Sequence, residues 1–124
     1  MAGFFAAGGI GMWPTLAFGL LLLAVGVAHA LRPRPQLVRL FAGLGLVTLS
    51  CGALGTAMGV VATLMHAGQV ESARQYAVRL LGFAESLGNL ALALAAIVLA
   101  TLVLAAGALR AARAAGPEPR DAPP

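Results

Sequence analysis

Three stretches of this chain, Met12–Leu31, Leu40–Met65 and Ser86–Leu109, contain no Asp, Glu, Lys or Arg. An α-helix needs about 20 predominantly apolar residues to cross the hydrocarbon core of a bilayer. Each stretch is that long, and in lipid a helix satisfies its own backbone polar groups. The expected fold is an all-α membrane protein with three transmembrane helices. Composition agrees: 60% of the 124 residues are hydrophobic and 10% charged, too little charge for the surface of a water-soluble domain. The chain divides into an outer segment 1–11, a first span 12–31, a short basic loop 32–39, a second span 40–66, a loop 67–85, a third span 86–109 and a polar tail 110–124.

The flanking charges orient these spans. All eight basic residues are Arg, and they stand at the edges of the apolar stretches. With no basic patch, the net charge of +4 gives no nucleic-acid footprint, and the bilayer itself is the expected partner. Arg32, Arg34 and Arg39 fall in the first link, and Arg110, Arg113 and Arg120 follow the third span. The second link has only Arg74 and Arg79, and no basic side chain precedes the first span. Basic residues close to spans stay in the cytoplasm, so the N-terminus is expected outside and the C-terminus inside. Ala28-His29-Ala30 has the pattern of a signal-peptide cleavage site. No basic segment precedes it, however, and cleavage would leave an arginine-rich start outside, so the first span is expected to be retained.

The links carry their own signals. Pro33 and Pro35 break any helix continuous through the first link. In the second, Val70, Ala73, Ala77, Leu80, Leu81 and Ala84 recur at helical spacing, with Glu71, Arg74, Gln75 and Arg79 opposite. This pattern predicts a short amphipathic interfacial helix over Ser72–Ala84, either separate from the third span or continuous with it. Ser72 and Gln75 have capping-box spacing, and Gly68 is the expected stop of the preceding helix. Trp13 and Tyr76 are placed at headgroup depth. Gly116–Pro124 is a proline-rich polar tail expected to be disordered. Cys51, the single cysteine, is expected to be a small packing residue.

The second span carries Gly45, Gly52, Thr56, Gly59, Thr63 and His66 along one helix face, and Gly55 and Gly59 form a GxxxG pair. The third has Asn89, Ala93, Ala96, Ala100 and Gly107. Small residues at these spacings favour close helix packing, which makes Gly45, Gly52, Gly55 and Gly59 packing candidates. Thr56, Thr63, Asn89 and Glu85 are the candidates for a polar or proton-conducting lining, Glu85 standing where the third span enters the membrane. His29 and His66 fall near opposite ends of spans and are expected to be structural, since a metal site needs three or four converging ligands. No catalytic set of side chains is present, and the sequence implies neither an enzyme nor a cofactor or metal.

These segments resemble the MotA/TolQ/ExbB proton-channel family. Phe4–Pro14, with Gly8-Gly9 followed by Met12-Trp13-Pro14, is similar to that family's approach to its first span. Gly52-Ala53-Leu54-Gly55-Thr56-Ala57-Met58-Gly59 resembles its second-span signature G-L-L-G-T-x-x-G, and Glu85-Ser86-Leu87 resembles the start of its third span. The resemblance implies a subunit of the bacterial inner membrane within a proton-driven, energy-transducing complex. It further implies a homo-oligomer around a single-span partner that carries an intramembrane Asp. Two departures weigh against conduction. The family's large cytoplasmic segment between the first two spans is reduced here to Arg32–Arg39, and its third-span threonine falls near Leu90. The rival expectation is a non-conducting three-helix scaffold or interaction protein.

Overall fold

A computed structural model describes residues 12–69 and 71–115, with the backbone alone at Ala73. The Gly-rich approach before Met12 and the proline-rich tail from Gly116 lie outside the described residues. Among the described residues the fold comprises three helices: α1 (Met12–Leu31), α2 (Pro35–Ala67) and α3 (Ser72–Ala114). All three are long and apolar enough to cross a membrane, and the chain is a multi-pass membrane protein.

The first link is shorter than the two prolines imply. Pro35 occupies the first turn of α2 behind Arg34, whose backbone is extended (φ −130°, ψ 131°). Proline is well suited to that place, because the N–H it lacks would have no helical partner there. Only Arg32, Pro33 and Arg34 are non-helical, and Gln36–Arg39 belong to the helix instead of the loop. At its far end α2 stops at Gly68, which keeps a right-handed conformation (φ −68°).

The short interfacial helix expected over Ser72–Ala84 is not a separate element. It forms the opening turns of α3, which runs unbroken for 43 residues. No proline interrupts this stretch, so the amphipathic pattern passes directly into the apolar one. The expected capping box is absent as well: the cap residue is Glu71, with no side-chain capping bond.

Small residues set the packing. A Cβ placed on Gly19 would lie 2.9 Å from Ala96 Cβ, and one on Gly107 would lie 2.5 Å from Ala30 Cα. These pairs make α1 and α3 parallel. Gly52 meets Ala93, Gly59 meets Ser86 and Gly82 meets Thr63, which runs α2 antiparallel to α3. The buried positions of α1, Met12, Thr15, Gly19, Leu22 and Gly26, alternate steps of three and four. On α3, Ser86, Asn89, Ala93, Ala100 and Gly107 repeat mainly at seven. That 3.5-residue period is the pattern of a left-handed bundle. Outward faces carry large apolar side chains such as Leu46, Leu54, Met58, Leu99 and Leu102, as lipid-facing surfaces should.

Helix length then creates an asymmetry. α1, at 20 residues, is about 30 Å long, matching the hydrocarbon core. α2 and α3, at 33 and 43 residues, are about 50 and 65 Å. The Gly19–Ala96 register brings the start of α1 level with Asn89. Beyond that level, among the described residues, α2 and α3 continue alone as a two-helix arm.

Candidate functional site

The polar side chains expected to line a path are brought to the contact between α2 and α3. A hydroxyl within lipid must find an acceptor, and the carbonyl one turn back is the nearest. Thr48 donates to Leu44 O (2.7 Å), Thr63 to Gly59 O (2.8 Å) and Ser86 to Gly82 O (2.7 Å). Thr56 differs. Its Oγ1 lies 2.9 Å from Gly52 O in its own helix and 2.9 Å from Ser86 O in α3. One hydroxyl proton thus serves an intrahelical and an interhelical acceptor, which locks the two helices in register.

The glycines around Thr56 explain how α3 comes so near. A Cβ on Gly52 would lie 2.5 Å from Ala93 Cβ and 3.3 Å from Asn89 O; one on Gly59 would lie 2.5 Å from Ser86 Oγ. Gly45 is looser, with Leu22 Cδ1 4.0 Å away, and Gly55 is half-buried. Thr63 packs directly on Gly82, so the contact continues outward as a tight seam.

Asn89 occupies the core at 2% exposure, yet neither its Nδ2 nor its Oδ1 has a hydrogen-bond partner. Its backbone faces Gly52, and its level in the bundle is that of the buried Met12 and Thr15 of α1. A buried amide left unbonded costs about 1–3 kcal/mol, so it stands out in a core otherwise built of small and apolar groups. His29, near the end of α1, has a similarly orphaned Nδ1.

No family model matches this chain, and no curated protein or solved structure does either.

Glu85 is not part of the Thr56 contact. It is half-buried in a groove of the arm, where it shares the lining with Thr63 and His66 of α2 and Val78, Leu81 and Gly82 of α3. Sequence spacing did not pair His66 with Glu85, because they belong to different helices. Ser86 was also missed as a site residue, since it contributes a backbone carbonyl to Thr56 and a side chain to Gly59. One signal was available: Gly82 stands seven residues before Asn89 and extends the small-residue stripe of the third span outward.

Proposed function

We propose that this chain is a non-conducting structural subunit, a three-helix scaffold that offers its outer apolar faces to lipid or to other membrane proteins. The observation that carries this reading is Thr56. The hydroxyl best placed to line a path is engaged by two backbone carbonyls, and Gly52 and Gly59 beside it are filled by α3. Such a contact clamps helices together and leaves little room for water. The small-residue face of α2 is also occupied within the chain at these positions. A homo-oligomer would therefore form through larger side chains such as Leu46, Leu54 and Met58.

In this proposal the protein lies in the bacterial inner membrane with its N-terminus outside, as the arginine distribution implies. The opening turns of α3 continue with α2 beyond the outer face of the bilayer and carry the exposed Tyr76 about 20 Å outward of the Asn89 level, where α1 begins. A periplasm-active reporter fused after Arg113 should be silent and a cytoplasm-active one should function. The reverse pattern overturns the orientation.

Asn89 favours a second reading, a transport-type subunit of the kind the MotA/TolQ/ExbB resemblance implies, working with a single-span partner that carries an intramembrane Asp. An amide without a bond in the isolated bundle is available to a transient polar guest. Thr56→Val separates the two readings, because it keeps the branched shape and removes the hydroxyl. As a scaffold, the variant should assemble normally and lose about 0.6 kcal/mol of stability, the average for an interhelical polar contact in membranes. Thr56→Ser should restore that loss. Abolition of proton-dependent work by an otherwise intact complex would instead establish the transport role.

A further inference from the structure

The link between α1 and α2 forms a small groove on a stiff frame. Arg32 N–H donates to Ala28 O (2.9 Å) and carries the last turn of α1 into the link. Leu37 N–H donates to Arg34 O (3.0 Å) and closes the first turn of α2. Between these bonds Pro33 and Pro35 fix their own φ angles. A residue before proline is held extended, as Arg34 is (φ −130°, ψ 131°). Few torsions are left free, so two arginines are presented on one concave surface. Its lining is Ala28 and Arg32 of α1, Arg34 of the link, and Gln36 and Leu37 of α2.

Polarity within the groove follows depth. Ala28 and Leu37 lie about one turn toward the hydrocarbon from Arg32 and Arg34, so the floor is apolar and the mouth cationic. The surrounding charge is of one sign. Arg32, Arg34, Arg39, Arg110 and Arg113 gather at this end of the bundle, whereas the carboxylates among the described residues, Glu71 and Glu85, lie at the other. Arg110 and Arg113 do not share the groove. Gly107 of α3 meets Ala30, and Ala28 and Arg32 stand two residues to either side of it, about 160° around α1. The groove therefore opens away from α3.

We infer that this groove binds one phospholipid of net negative charge. Its phosphate sits between the Arg32 and Arg34 guanidiniums, the Gln36 amide donates to a remaining headgroup oxygen, and the start of one acyl chain lies over Ala28 and Leu37. A zwitterionic lipid is disfavoured, because its ammonium would stand among guanidiniums with no carboxylate to receive it. The apolar floor favours a lipid over a phosphate free in water. The site is independent of whether the chain conducts, since Thr56 and Asn89 take no part in it.

Native mass spectrometry tests this on the full chain released from nanodiscs holding equal amounts of phosphatidylglycerol and phosphatidylethanolamine with identical acyl chains. The parent should retain the anionic lipid about tenfold over the zwitterionic one, the order expected of two basic residues at a membrane surface. Arg32→Gln combined with Arg34→Gln should remove most of that preference. Arg110→Gln combined with Arg113→Gln takes away the same charge at similar depth but outside the groove, and should leave the preference near that of the parent. Ala28→Trp fills the groove from an exposed position without altering charge and should also lower retention of the anionic lipid, with helical content by circular dichroism unchanged. Equal retention of the two lipids by the parent overturns the assignment. So does an equal loss in both double variants, which would reduce the preference to a diffuse positive field, or displacement of the lipid by excess inorganic phosphate.

Discussion

Gly52→Leu should be the most damaging single substitution in the α2–α3 contact. A Cβ at this position would already lie 2.5 Å from Ala93 Cβ and 3.3 Å from the Asn89 carbonyl, before the rest of the leucine is added. Neither neighbour is the movable end of a long side chain, so the backbones themselves must separate. Overpacking a well-filled core costs about 1–3 kcal/mol, and a contact made by backbone and Cβ atoms belongs at or above the top of that range. Separation of the helices would also pull Thr56 away from Ser86 O, which is 2.9 Å distant in the parent. The expected result is a protein that keeps its helical circular dichroism in detergent but becomes protease-sensitive and unfolds at markedly lower denaturant. Gly43→Leu is the control. Nothing lies within 4 Å of a Cβ there, so its stability should stay level or rise slightly as a helix-interior glycine is removed. If Gly52→Leu and Gly43→Leu unfold alike, the Gly52–Ala93 approach does not hold α2 against α3.

The spans were legible because charge is excluded from hydrocarbon, and Met12–Leu31 could be read off directly. The outer end of α2 was read to within a residue, at Gly68, but that of α3 was not, because hydropathy reports which solvent surrounds a residue and not whether the backbone continues. Residues 72–85 change the pattern from apolar to amphipathic without a proline, so the helix persists across the change in solvent. The first link failed for the opposite reason. A proline breaks a helix from within but begins one well, and the sequence alone does not say which role Pro35 takes. Within the site, Thr56, Asn89 and the glycines could be picked out by type. What they meet depends on the register between helices. Each stripe of small residues was visible separately, but the pairing of Gly52 with Ala93, Gly59 with Ser86 and Gly82 with Thr63 arises only when the helices close. The partner of Thr56 is a backbone carbonyl, and no residue type announces that.

Asn89→Leu should stabilise the isolated protein, an unusual outcome for a substitution in a buried core. The amide is 2% exposed and has no bond at either polar atom, so the folded state carries its desolvation cost without compensation. Leucine branches at Cγ as asparagine does and has no polar atoms, although its methyl groups fill more volume, and replacing an unsatisfied group by an apolar one of like shape removes that cost. A gain of about 1–2 kcal/mol is expected, given that an unbonded buried polar group costs about 1–3 kcal/mol. Unfolding in mild detergent would measure it. The packing limits the gain, because the backbone of Asn89 lies against Gly52 and its side chain has little freedom to repack. The two proposed functions then part at this residue. A scaffold keeps an unbonded amide for no working purpose, so Asn89→Leu should be more stable and assemble with its partners as the parent does. A transport subunit keeps it because something polar meets it during work, so the same variant should be more stable and inactive. Loss of stability on Asn89→Leu would point elsewhere, to an amide that is hydrogen-bonded in the membrane and contributes to holding α3 in the bundle.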